Sequence, residues 1–254
     1  TIQKPHRPIP SGRIKPIEAL AFGALFALTG FFLSFLLSAY NIILVFFVAA
    51  LVFAYAKLSK SRGLTGNLNR GIVTVIAYFF GVFSINKPIE LIPIYIWLLS
   101  IVFLLHDTNS NLVGAIRDIE GDKKGGYETI PVKYGIKNSI IISLLLTIIW
   151  FSLALFIPYY YKFLKIEFYF IMILDLFILI SLYLYLIKAM NNYSREKALK
   201  FHEFFVLERI ILASAFIFGV IDLYMAALIF LIAILITSIS QYMLRKRYEF
   251  MEKK

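Results

Sequence analysis

The sequence predicts an all-α fold, a polytopic transmembrane helical bundle of about eight spans. Three observations predict it. Of its 254 residues, 61% are hydrophobic and the mean hydropathy is +0.83; soluble domains average roughly 45–50% apolar residues. The apolar residues gather into eight runs, most of them near the ~20 residues a helix needs to cross hydrocarbon. Cations are segregated, with 23 of the 26 Lys and Arg in every second polar link. Helices are the natural form, because backbone polar groups in lipid must be satisfied within the segment.

The basic links are 1–16, 57–70, 107–137, 188–209 and 245–254. Cations retained on one side of a cell membrane put both termini and these links in the cytoplasm. Lys87, Lys162 and Lys165 fall in the alternate links, where Tyr159, Tyr160 and Tyr161 suit an interfacial belt. The net charge of +11 is thereby assigned to topology, lipid headgroups and phosphates, not to nucleic acid. The absence of cysteine excludes disulfides and thiolate metal sites, and three scattered histidines make no zinc site. There is no signal-peptide pattern, P-loop or dinucleotide fingerprint.

The first link, Lys4-Pro-His-Arg-Pro-Ile-Pro-Ser-Gly-Arg-Ile14, holds three prolines in six residues. They forbid a regular helix and give a stiff, extended entry that keeps Arg7 and Arg13 near the membrane surface. Apolar runs at 17–39 and 41–57 follow. The next link, Tyr55 to Asn67, carries Lys57, Lys60 and Arg62 ahead of Gly63 and Gly66. Such a backbone path turns N–H groups towards an anion. The runs at 71–86 and 91–106 are short and are expected to extend into their flanks.

The third link is the richest. If the helix starting near 91 continues beyond 106, Asp107, Asn111, Gly114, Asp118 and Asp122 fall within a sector of about 80°. Gly121 and Gly125-Gly126 end that helix. Asp118 and Asp122 at i, i+4, flanked by Arg117, Lys123 and Lys124, suit Mg²⁺, which prefers a few carboxylates plus substrate phosphate oxygens. The same residues also suit a solvated turn, whose surface ion pairs contribute under about 1 kcal/mol.

Runs at 138–158, 167–188, 204–221 and 223–244 complete the bundle. Asp175 stands inside one of them, where a carboxyl is functional, protonated or bonded to a neighbouring helix. His106 and His202 read as boundary residues. Asp222, in a tight turn, reads as the start of the last helix.

Together these stretches resemble the UbiA superfamily of intramembrane prenyltransferases. Residues 4–14 are similar to the R-P-x-R-P-(I/L)-P-S-G-x-I stretch that follows the family's first aspartate motif. Tyr55 to Asn67 is similar to its Tyr-x₄-Lys…Gly-Asn loop. Asp118-Ile-Glu-Gly-Asp122, with Gly126 and Thr129-Ile-Pro-Val-Lys-Tyr-Gly135, resembles its second aspartate motif and tail. The resemblance implies Mg²⁺-dependent transfer of a prenyl group from an isoprenoid diphosphate to a hydrophobic acceptor. An aromatic quinone precursor and a glycerol-phosphate ether-lipid precursor both suit it. Asp118 and Asp122 would be metal ligands. Lys60, Arg62, Asn67, Arg7 and Arg13 would contact or border the diphosphate, and Tyr55 would face the cavity. Asp107 and Asn111 join the cavity lining from helix periodicity alone.

The resemblance further implies a single prenyltransferase domain over 1–254. The family's first helices and first aspartate motif would lie ahead of Thr1, and 223–244 would be an added C-terminal helix. The rival readings are a transporter and a non-catalytic prenyl-lipid-binding protein. A transporter accounts for the spans and Asp175, but it leaves Asp118 and Asp122 beside a basic loop without a role.

Overall fold

The computed structural model describes residues 8–54, 63–85, 88–190 and 192–248. Among them the chain is helical throughout its regular structure, with no strand. The first helix, α1 (Pro16–Leu37), starts on a proline, and Glu18 reaches back to accept from the Lys15 N–H at 2.9 Å. Ser38 adopts an extended conformation and separates it from α2 (Ala39–Ala54). Next come α3 (Gly63–Phe83), a 3-10 turn at Ile89–Leu91, and α4 (Ile94–Arg117). Asp118 leaves the helical region, and the short α5 (Ile119–Lys124) follows. Gly125 and Gly126 close that turn, Gly126 at a φ of +69° that side chains disfavour.

The long α6 (Ile130–Tyr161) is broken near its start at Gly135 (φ 81°, ψ 165°), in a region open essentially to glycine alone. It is followed by α7 (Ile166–Met190), α8 (Arg195–Val220) and α9 (Leu223–Tyr248). Ser194 caps α8 by accepting from the Lys197 N–H. Asp222 caps α9, accepting from the N–H groups of Tyr224 (2.9 Å) and Met225 (3.2 Å).

Each apolar run read from the sequence lies within or largely overlaps one long helix. The two short runs extend as expected: α3 begins at Gly63 and α4 continues to Arg117. Among the described residues, five helices are long and apolar enough to cross a membrane: α1, the α4–α5 unit, α6, α7 and α9. The α2 helix is apolar but shorter. Polar residues that turn inward, among them Asn67 and Glu208, lower the hydropathy of α3 and α8.

At the centre, α4 packs against α3, α6 and α8, while α7 packs on α8 and α6. Leu99, Val102, Trp150, Phe168 and Phe205 are buried in this core. At the periphery, α1 leans on α2 and α9 on α8, and only 6% of each span is buried within the protein. Their exposed Phe, Leu and Ile side chains form an apolar surface suited to lipid.

Polar contacts fasten the centre. Ser143 Oγ donates to Asn109 Oδ1 at 2.6 Å, Asn109 Nδ2 donates to Thr147 Oγ1 at 2.7 Å, and Tyr183 Oη lies 2.7 Å from both hydroxyls. This cluster links α4, α6 and α7, each bond contributing roughly 1 kcal/mol net. At Gly71, a Cβ would sit 2.4 Å from Thr108 Oγ1 and 2.5 Å from the Leu104 carbonyl oxygen, so glycine sets the approach of α3 to α4.

Candidate functional site

A cavity of about 540 Å³ opens at the end of the bundle where α3, α4, α5 and α8 meet. The wall supplied by α4 and α5 presents Asp107, Asn111, Gly114, Asp118 and Asp122 in one stripe. The helical register carries across the break at Asp118: its N–H donates to Gly114 O at 3.1 Å, and the Asp122 N–H donates to Asp118 O at 2.9 Å. The facing walls carry Asn67 and Arg70 from α3, and His202, Val206 and Arg209 from α8.

Two charged groupings divide this cavity. Near its α5 end, Arg117 holds Asp118 with two bonds, Nε to Oδ1 at 2.9 Å and Nη2 to Oδ2 at 2.5 Å. The third guanidinium nitrogen of Arg117 lies 3.3 Å from His202 Nδ1. Tyr193 supports the same corner, donating through its hydroxyl to Ile116 O at 2.5 Å. Burial, and then the Glu120 and Asp118 carboxylates, push that phenol up to about 12, which keeps it a neutral donor.

Further along α4, Asp107 is 2% exposed and faces two arginines. Arg209 Nη2 donates to its Oδ1 and also to Ser110 Oγ at 2.7 Å. Arg70 Nε lies 3.4 Å from its Oδ2. Between the groupings, Asn111 Nδ2 donates to Asn67 Oδ1 at 2.8 Å.

Of the site residues read from the sequence, Asn67, Asp107, Asn111, Asp118 and Asp122 thus line one cavity. Arg13 is exposed, donates to Ser11 Oγ at 3.0 Å and stands outside that lining. Arg7, Tyr55, Lys60 and Arg62 lie outside the described residues. Sequence reasoning passed over Arg70, Arg117, His202 and Arg209 as site residues. Arg209 and its neighbour Glu208 carried a signal, since charges inside the run 204–221 are costly in lipid and mark contacts within the bundle.

One of the two histidines needs correction. His106 is no boundary residue: it is buried between Trp150 and Phe205, with Nε2 3.0 Å from Glu208 Oε2. His202 lines the cavity. Asp175 is fully buried in α7, away from the cavity lining, and neither of its carboxylate oxygens has a hydrogen-bond partner among the described residues.

Among the described residues no group of three or more His, Asp or Glu side chains is placed to hold a metal ion. Asp118 and Asp122 nonetheless suit Mg²⁺ chemically, because that ion takes one or two carboxylates and fills its other positions with water and substrate phosphate.

The family model of the UbiA prenyltransferase family matches residues 1–207. The chain belongs to that family. It is a membrane-embedded prenyltransferase, and α9 lies beyond the matched residues. It is 32% identical over 218 residues to the digeranylgeranylglyceryl phosphate synthase of Methanosphaera stadtmanae, covering 86% of this chain and 77% of that protein. The synthase of Sulfurisphaera tokodaii is 32% identical over 179 residues, which are 70% of this chain and 63% of the relative. A solved structure concerned with digeranylgeranylglyceryl phosphate synthase in membranes superposes with a TM-score of 0.63 at 30% identity, covering 86% of this chain and 75% of the other. A UbiA homologue from Aeropyrum pernix K1, at 20% identity and a TM-score of 0.63, covering 81% and 76% of the two chains, shares the fold.

Proposed function

We propose that this UbiA-family chain transfers a prenyl group from an isoprenoid diphosphate to the glycerol moiety of a glyceryl phosphate ether lipid. The observation that carries the reading is the α4–α5 stripe: two carboxylates at one end of a cavity, the first of them bonded to Arg117. The relatives named digeranylgeranylglyceryl phosphate synthase favour a glyceryl phosphate acceptor over a quinone precursor.

In this reading Asp118 and Asp122 hold Mg²⁺ at the cytoplasmic end of the bundle. The bound ion supplies neutralisation of the charge that builds on the departing diphosphate. Lys60 and Arg62 add cationic contacts to that diphosphate. Asn67 is held in place by Asn111 and keeps the α3 wall in register with the aspartates. Arg117 neutralises Asp118 while no diphosphate is bound, and His202 gives its guanidinium a second resting partner. The apolar bundle accepts the prenyl tail and keeps water from the electron-poor carbon that the acceptor hydroxyl attacks.

The test is transfer from a radiolabelled prenyl diphosphate in detergent with Mg²⁺, offering a glyceryl phosphate ether and a hydroxybenzoate in parallel. The expected product is the glyceryl phosphate diether. Asp118→Ala with Asp122→Ala should lower its rate at least a hundredfold and abolish Mg²⁺ dependence. Product formed only on the hydroxybenzoate would overturn the acceptor, and full activity in the double variant would overturn the metal assignment.

A further inference from the structure

The cavity holds a second charged grouping that the metal–diphosphate reading does not use. Asp107, Asn111 and Asp118 share one wall, but Asp107 precedes Asp118 by eleven residues. At the helical rise their α-carbons stand about 16 Å apart along α4. A diphosphate bound through Asp118 and Asp122 therefore leaves the Asp107 end of the cavity unfilled.

That end has an excess of positive charge. One carboxylate, 3% exposed at its side chain, faces two guanidinium groups brought from different helices, Arg70 of α3 and Arg209 of α8. Asp107 holds Arg209 by one Nη2 bond, which Ser110 shares, and meets Arg70 only through Nε. The outer edges of both guanidinium groups stay available: the Arg70 side chain is 61% exposed and that of Arg209 is 37% exposed, and both line the cavity. Arg209, hydrogen-bonded to the buried carboxylate, and Arg70, ion-paired to it at 3.4 Å, bring two guanidinium groups together for a planar or tetrahedral oxyanion.

We infer that Arg70 and Arg209 form a subsite for the phosphate of the acceptor, separate from the diphosphate end of the same cavity. The inference rests on the proposed glyceryl phosphate acceptor, and spacing supports it. A near-attack gap of about 3 Å and the bonds of one diphosphate and one glycerol unit separate the end that Asp118 would hold from the acceptor phosphate. Such a chain spans on the order of 10 Å or slightly more, and an arginine side chain closes the remainder of the helical separation. The subsite then sets which acceptor oxygen is presented: anchoring the phosphate at Arg70 and Arg209 turns the free glycerol hydroxyl back towards the diphosphate end.

The experiment measures binding and turnover with the full chain in detergent. The probes are a short-chain glyceryl phosphate ether, the same glyceryl ether without phosphate, and inorganic pyrophosphate with Mg²⁺. Arg70→Gln and Arg209→Gln should each weaken glyceryl phosphate binding at least tenfold by calorimetry. Pyrophosphate binding should move less than threefold, and the phosphate-free ether should lose its disadvantage against the phosphorylated one. In turnover the loss should appear in KM for the acceptor and not in KM for the prenyl diphosphate. Arg209→Lys should recover part of the binding, because charge is kept and the fork is lost.

Unchanged glyceryl phosphate binding in Arg70→Gln, an exposed position whose replacement leaves the core intact, overturns the subsite. An equal loss for pyrophosphate also overturns it and assigns these arginines to the diphosphate. Wild-type transfer to glyceryl phosphate with unaltered variants sinks the subsite alone. Wild-type transfer to hydroxybenzoate but not to glyceryl phosphate sinks the acceptor reading on which it rests.

Discussion

Asn111 Nδ2 donates to Asn67 Oδ1 across 2.8 Å, and this bond ties the aspartate-bearing wall of the cavity to α3. Asn67 is 5% exposed, so its carbonyl has little access to water once the donor is removed. The consequence reaches from local packing to function, because α3 also carries Arg70 and follows the basic loop.

Asn111→Ala should therefore destabilise the protein by about 1–2 kcal/mol, the cost of leaving a buried acceptor unpaired. Thermal unfolding in detergent reads this directly. Asn67→Ala combined with Asn111→Ala should cost less than the sum of the two single changes, with a coupling of at least about 0.5 kcal/mol. Additive costs would show that the contact does not hold the two walls together.

Gly71→Ala tests the α3–α4 approach. The added methyl would overlap both a hydroxyl and a backbone carbonyl, and the carbonyl cannot rotate away. A loss of about 1–3 kcal/mol is expected from overpacking. Thr108→Ala in the same chain should not restore stability, because Leu104 O remains in the way. Gly81, on the same helix with nothing within 4 Å of its Cβ position, is the control: Gly81→Ala should be neutral or stabilising by up to about 1 kcal/mol.

Asp175→Leu should raise the unfolding temperature. The carboxyl is fully buried in α7, neither oxygen has a hydrogen-bond partner among the described residues, and α7 packs tightly on α8. Replacing an unsatisfied polar group by an apolar one of the same branched shape gains roughly 1 kcal/mol or more. Prenyl transfer should persist, since Asp175 is not part of the cavity lining. A lower unfolding temperature, or lost transfer at unchanged stability, would show that the carboxyl serves a purpose this geometry does not reveal.

Much of the architecture is legible in the sequence because the signals are local. Hydropathy marks each long helix, and the 3.6-residue period puts Asp107, Asn111, Gly114, Asp118 and Asp122 on one wall before any contact is known. The family motifs overlap that stripe and the loop before α3. Less legible are the residues that close the cavity from the other side. Arg70 ends one basic link and His202 lies inside another, and in sequence neither can be told from the polar residues of a topology-setting link; Arg209 is marked only by its place inside an apolar run, which does not name its partner.

By itself, then, the sequence determined a membrane-embedded helical bundle, its order of spans and the carboxylate stripe along α4 and α5. Each follows from composition and spacing within a single segment. Only the tertiary structure decided which cations turn inward. Arg209 meets Asp107 across a separation of 102 residues, and His106 meets Glu208 across the same distance in the chain. Such pairings depend on how α8 packs against α4, and the side chains involved carry no periodic mark of their partner. In the low-dielectric interior a charge that turns inward has to find its counter-charge, so the helix packing that buries Asp107 also selects the arginines beside it.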